Sequence, residues 1–447
     1  MNNLIEKRGV LGERVMLMIP FNVVMTAKIS GTFDHTMLRP ALNKLKVRHS
    51  LLSVRLLIDE DNTAWYTSEN VPDFTVEIIE RDSDVQWQNI VKRELKSDFD
   101  LTRGPLIRFA VVQGVKQSEL VVCCHHMISD GISLTWLIQD ILTCIAYPEK
   151  EVEILPEPPL INSETVQSPP RINAAARGVM KLINNSWRKK NIQLTLEDRK
   201  SLYNRFWEEK NICGITSFEL SCKETAALVL KTREEGVTVN SALWTAFLAA
   251  QDAVQDSGEL FRSRSGMAVS TRDKMVLKAG KALGFFASSL KATLKYDSKK
   301  TFWDMTRKFQ KIIKKEMKRT NPFQMILTEL IDPGLFDSLY FEKYKLINNN
   351  LSRKFLQKMA WDSINFGYAI TNVGAVPVDS SYGEMKLDSV YGPVIYSDVN
   401  EKTIGVVTVS EKITFTVSYN ENHLSKETIG SLKEKFIYFL KKGISES

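Results

Sequence analysis

Val121-Val122-Cys123-Cys124-His125-His126-Met127-Ile128-Ser129-Asp130-Gly131 is the stretch on which the reading of this chain turns. An apolar, strand-like run ends on two adjacent histidines. An acid and a glycine follow at fixed offsets, ahead of a segment, Ile132 to Ile145, with helical character. A histidine at the end of a buried strand can keep an unprotonated ring nitrogen ready to take a proton from a hydroxyl or amine attacking a thioester. That makes His126 the candidate general base, with His125 as its structural neighbour. Asp130 is too close to be a free second catalyst and is placed to brace the turn by pairing with a cation, while Gly131 is expected to let the backbone bend sharply before the helix. The chain has five histidines in 447 residues, so chance would give this constellation in roughly one such chain per thousand. The plainer alternative is a strand end whose histidines only satisfy core hydrogen bonds.

His-His-x-x-x-Asp-Gly resembles the signature of the condensation-domain and chloramphenicol-acetyltransferase-like superfamily. Further stretches fall in the order that family shows. Val47 to Arg55 resembles its early Arg-His segment, and Phe99-Asp100-Leu101 with Gly104 to Arg108 the approach to the central strand. Val269 to Asp273 and Leu283 to Leu290 resemble the paired motifs of the second lobe, and Thr371 to Gly374 the strand flanking the channel. The resemblance implies an α/β fold of two chloramphenicol-acetyltransferase-like lobes, each a mixed sheet with flanking helices, and a channel between them. It also implies that the second histidine, His126, acts, that Asp130 is architectural, and that Arg272 pairs with it, although Arg272 read alone is equally a solvated surface residue. Gly284, Phe285, Phe286, Ser288, Thr371 and Asn372 become candidates for the channel lining, against the alternative of ordinary core. Ser288 stands where condensation domains commonly carry asparagine, which puts peptide-bond formation in doubt. The Asp-Phe-Gly-Trp-Gly motif of plant-type relatives is absent, with Ser389-Val390-Tyr391-Gly392-Pro393 in its place.

Composition fits this reading. With 43% hydrophobic and 25% charged residues the chain is an ordinary globular one, long enough for two or three domain-sized units. No charged region leads into an apolar run at the N-terminus and no window is long enough to span a bilayer, so a cytoplasmic location is expected. Five cysteines lack zinc-like or disulfide spacing and read as free buried thiols. The net charge of +7 is spread along the chain, with its clearest cluster at Lys308, Lys311, Lys314, Lys315, Lys318 and Arg319. That cluster suits an acidic carrier protein or the phosphates of coenzyme A, or is a solvated helix face. Aromatic residues do not interleave with basic ones as nucleic-acid platforms require.

The Pro-rich stretch 151–175 reads as a linker between an N-terminal lobe, 1–150, and a C-terminal lobe, 176–447. Strands are expected within Val15 to Ile29, Leu106 to Val112, Thr216 to Leu220, Gly266 to Val269, Ile364 to Thr371 and Lys402 to Ser418. Helices are expected at Met37 to Val47, Gln86 to Lys96, Ser241 to Val254 with Asn240 as cap, Phe302 to Arg319 and Lys426 to Lys441. Ala174 to Leu194 reads as a basic amphipathic helix, either docked on its own protein or lying on a membrane, with membrane contact the less favoured.

The function expected from these readings is acyl transfer from a coenzyme A or phosphopantetheine thioester to a small hydroxyl or amine acceptor, in secondary-metabolite or lipid biosynthesis. No metal or permanently bound cofactor is needed, the partner is a carrier protein or coenzyme A, and the chain is expected to be monomeric. The rival from another class is a catalytically idle, condensation-like module that recruits a carrier protein. An editing or cyclising domain is disfavoured because no carrier or adenylation segment follows, and no Gly-x-Ser-x-Gly elbow supports serine chemistry. Donor, acceptor and product class stay open.

Overall fold

The computed structural model describes residues 4–209, 212–255, 264–359, 367–397 and 399–445. Two six-stranded mixed sheets form the two lobes. The first runs Ser381–Tyr382, Met385–Ile395, Asn22–Gly31, Gln117–His125, Ile107–Gln113, Thr75–Glu80. Only its last pair is parallel. The second runs Ala287–Thr293, Arg264–Ser270, Tyr368–Ala375, Lys402–Val409, Lys412–Asn420, Cys213–Leu220. Here Tyr368–Ala375 is parallel to both neighbours and the other pairs are antiparallel. Gln117–His125 lies inside its sheet with every residue from Ser118 onward buried, which is why it reads as a continuous apolar run rather than an alternating one.

Helices supply the other layers. Asp130 caps Gly131–Ala146, whose apolar residues Leu134, Leu137, Ile138, Ile141 and Leu142 enter the first core. Thr301 caps Phe302–Arg319, which buries Phe302, Met305, Phe309 and Ile313 and turns its lysines outward. Thr238 rather than Asn240 caps Val239–Gln255, its hydroxyl accepting from the Ser241 N–H at 3.1 Å. The sequence reading fails there because both residues are good caps, and a small offset decides which one faces the helix end.

The expected division at 175 does not follow the sheets. Met385–Ile395 returns from the C-terminal part to pair with Asn22–Gly31 in the first sheet, and Leu202, Phe206 and Trp207 pack into the first core. A strand crossing between lobes leaves no composition break, so nothing local announces it. The Pro-rich stretch is irregular as expected, yet Ile161 and Val166 are buried with Met275 and Phe286 in a small core of their own. Of Val15 to Ile29 only the later part is strand, since Gly12–Met16 is a 3-10 turn and the strand begins at Asn22. Positions 364–366 of another expected strand lie outside the described residues, and that strand runs Tyr368–Ala375. Cys222 is exposed, contrary to the expectation of buried thiols, while the other four cysteines are buried. Helix Ala174–Arg188 docks on its own protein through Met180, Ile183 and Trp187. No helix among the described residues is long and apolar enough to cross a membrane.

Candidate active site

His126 follows directly on the strand Gln117–His125, and its position is fixed through the backbone. Its N–H donates to the Phe21 carbonyl at 2.9 Å, extending the ladder one step beyond the Asn22–His125 pair. The buried Tyr66 hydroxyl donates to the Met127 carbonyl at 3.1 Å and holds the turn that follows. Successive side chains of a strand point to opposite faces. His125 accordingly enters the first core, edge-on to Phe99, while His126 emerges between Phe21, stacked at 5.4 Å, and Phe285, edge-on at 5.1 Å.

The ring of His126 is set by one contact. Its Nδ1 lies 2.7 Å from the Ser129 carbonyl oxygen, which can only accept, so Nδ1 carries the proton and Nε2 keeps its lone pair. Burial pushes its pKa below 6.5, against the smaller opposing pulls of the Ser129 carbonyl and the Asp130 carboxylate, so the imidazole is neutral at pH 7. Its exposure is 6%, against 0% for His125. The neighbouring thiols are no rivals as nucleophiles: burial pushes Cys123 up to about 12 and Cys124 well above 9.

Asp130 braces the turn as expected and does more. One carboxylate oxygen accepts from the Ser133 N–H at 2.8 Å, and the other accepts from the Phe286 N–H at 3.0 Å and lies 3.5 Å from Arg272. Arg272 is buried, not solvated. It donates to the carbonyls of Gly280 and Ala282 at 2.9 and 3.0 Å and to the Ser133 hydroxyl, and its guanidinium covers Phe286 and Trp136. Gly131 is required for a reason other than bending. It is the first helical residue, and a Cβ there would lie 2.4 Å from Pro393 and 2.8 Å from Val373, one on a strand of each sheet. The glycine sits at one of the places where the two lobes touch.

The expected lining residues divide. Gly284 and Phe285 belong to the segment against His126, with Gly284 leaving no room for a Cβ beside Phe286. Phe286 is buried in a small core beneath Arg272. Ser288 is half-buried two residues further on, on an edge strand. Thr371 and Asn372 adjoin Val373, and the Asn372 amide donates to Asn240 at 3.1 Å. The sequence reading missed Phe21, Ser133, Asn240 and the pair His49–Asp140. In that pair the imidazole donates to the carboxylate at 3.0 Å while its other nitrogen accepts from the Leu283 N–H. Ser133 alone gave a signal, as a polar residue two positions past Gly131 in an apolar helix. Two clefts lie away from this cluster. One of about 310 Å³ is lined by Arg177, Lys181 and Arg188, and one of about 610 Å³ by Lys300, Arg307, Lys308 and Lys311. Neither contains His126, which keeps only a slight exposure between Phe21 and Phe285.

Residues 19–167 match the Condensation domain family. Bacitracin synthase 3 of Bacillus licheniformis is 30% identical over 138 residues, 31% of this chain. Malformin synthetase of Aspergillus brasiliensis is 27% identical over 148 residues, 32% of this chain. The chain spans only 2% and 3% of those two proteins. Solved structures resemble it from end to end. The first condensation domain of the calcium-dependent antibiotic synthetase is 13% identical with a TM-score of 0.63, covering 98% of this chain and 97% of its own. Polyketide synthase associated protein 5 of Mycobacterium tuberculosis is 14% identical with a TM-score of 0.60, covering 100% and 99%. The epimerization domain from the third module of tyrocidine synthetase B also matches, with 14% identity, a TM-score of 0.58 and coverage of 98% and 97%. Residues 19–167 thus carry the likeness to the Condensation domain family, and over its full length the chain shares the two-lobed fold of these solved structures.

Proposed function

We propose that the chain transfers an acyl group from a thioester, carried on phosphopantetheine or coenzyme A, to a hydroxyl or amine, with Nε2 of His126 as the general base. The observation that carries the reading is the 2.7 Å contact of Nδ1 with the Ser129 carbonyl, which puts the proton of the buried, neutral imidazole on Nδ1 and leaves Nε2 as the basic atom. Nε2 takes the acceptor's proton as its oxygen or nitrogen attacks the thioester carbonyl. The resulting oxyanion collapses, the carbon–sulfur bond breaks, and the imidazolium returns the proton to the departing thiolate. The products are an ester or amide and a free thiol. Holding both reactants in line supplies much of the rate, and the base adds about two to four powers of ten. Asp130 and Arg272 position the site, and His125 supports the strand end without touching the reactants.

The test incubates the protein with radiolabelled acyl-coenzyme A and acyl-carrier-protein panels, with hydroxyl or amine acceptors. Thioester loss that requires both an acceptor and His126 is the expected result. Equal rates from wild type and His126→Ala refute the base. Carrier binding without turnover in any combination refutes the enzyme and leaves a recruiting module.

A further inference from the structure

The segment Leu283–Phe286, which brings Phe285 against His126, is held by five hydrogen bonds. The Leu283 N–H donates to His49 at 3.3 Å, the Gly284 carbonyl accepts from the Ser133 hydroxyl at 2.8 Å, and the Gly284 N–H donates to Ser133 Oγ at 3.4 Å. The Phe286 N–H donates to Asp130 at 3.0 Å, and the Phe286 carbonyl accepts from the Thr271 N–H at 2.8 Å. Three of these bonds involve side chains at the start of the helix that follows His126, two on Ser133 and one on Asp130, and they straddle Phe285. Ser133 is fully enclosed, and its hydroxyl has one proton. Arg272 can only donate, so its contact with Ser133 Oγ occupies a lone pair and leaves that proton for the Gly284 carbonyl. The arginine thus orients the serine, and the serine fixes the segment.

We propose that Ser133 is a positioning residue: its hydroxyl clamps the Gly284 carbonyl, holds the Phe285 ring edge-on to His126 and thereby limits the water that reaches the imidazole. The proposal deepens the reading of His126 as the base and rests on it. Removing the hydroxyl takes a partner from the Gly284 carbonyl, the Gly284 N–H and one Arg272 N–H in an enclosed place, so the segment shifts or takes up water. The charged or titratable groups near His126 are Asp130 and His125, with Arg272 behind Asp130, and the Ser133 substitution removes none of them.

The test uses the full chain labelled with nitrogen-15 histidine, whose five imidazoles are titrated by NMR, with no substrate needed. Ser133→Ala is expected to raise the His126 pKa by about half a unit or more toward 6.5 as the ring hydrates. Phe285→Ala is expected to do the same, and adding Ser133→Ala to it to shift the value by less than about 0.2 unit further, because the serine acts through that ring. A folded Ser133→Ala with an unchanged His126, or shifts that simply add, overturns the proposal. Where Ser133→Ala does not fold, an unchanged His126 in Phe285→Ala overturns it and a raised one supports it. The wild-type spectra give the tautomer separately. A neutral ring protonated at Nε2 would overturn the base reading, whereas a failed Ser133 shift with the proton on Nδ1 would overturn only the clamp.

Discussion

His125 and His126 leave one strand end toward opposite sides, and the two sides treat the same ring differently. His125 is sealed in the first core against Phe99, with its Nε2 unpartnered among the described residues. Its pKa is held well below 6.5, first by burial and then by the charge of Arg199. His126 sits at the seam between Phe21 and Phe285, keeps a little exposure and is held below 6.5 more mildly. Both rings are neutral at pH 7, so a depressed pKa alone does not mark a base. The difference lies in the partner offered to the ring: a carbonyl on Nδ1 fixes the tautomer of His126, whereas His125 meets only a 3.5 Å approach from the Met127 N–H.

Paired substitutions break this comparison most directly. His126→Ala should cut acyl transfer by about two to four powers of ten with a melting temperature close to wild type, because it removes a base from a seam. His125→Ala should do the reverse, costing about 2–4 kcal/mol by leaving a cavity in a sealed core while turnover per folded molecule stays within a few-fold. Denaturation curves and rates on the same samples decide it, and an equally steep loss of rate in both variants would erase the distinction between the two sides. Next in size, Asp130→Ala removes a helix cap and strands Arg272 as a buried cation, for an expected loss of about 3–5 kcal/mol in chemical denaturation. Asp130→Asn should lose less, since it keeps an acceptor for the Ser133 N–H.

What could be read in advance follows the range of the interactions. The strand, turn and helix around His126, and the start of Phe302–Arg319, are set by apolar period and caps within the segment itself, and Gln86–Lys96 by its apolar period alone, and these were legible. The Arg272 partnership came only through the family resemblance, because nothing near Arg272 in sequence shows that Phe286 and Trp136 will cover it. Phe21 and the return of Met385–Ile395 to the first sheet were not legible at all, and Asn240 was read only as a helix cap, not as the partner of Asn372. Each is placed by a contact with a distant part of the chain, and none leaves a local pattern. Gly131 was found for the wrong reason: a bend can be read from one residue, whereas a close approach of Pro393 and Val373 cannot.

That correction gives a smaller, sharper test of the seam on which His126 lies. Gly131→Ala keeps an ordinary helical backbone and improves helix propensity, so a mere bend would tolerate it. Closely packed neighbours would not, and the expected loss is about 1–3 kcal/mol by urea denaturation. A variant as stable as wild type would show that the lobes do not meet there.

The smallest effect separates the two histidines by acid. A histidine whose folded pKa lies below its unfolded 6.5 binds fewer protons folded than unfolded, so its stabilisation is complete above pH 6.5 and is lost as pH falls toward the folded value. His49, His125 and His126 all have this sign. The protein should therefore lose stability from pH 6.5 downward, each such residue contributing at most about 1.4 kcal/mol per pH unit. His125, the more strongly depressed, keeps contributing to a lower pH than His126. Urea midpoints between pH 7.5 and 5 should accordingly flatten more in His125→Leu, which fills most of the ring's space without a proton site, than in His126→Leu. The opposite order would mean that the sealed and the exposed sides of the strand end have been assigned the wrong way round.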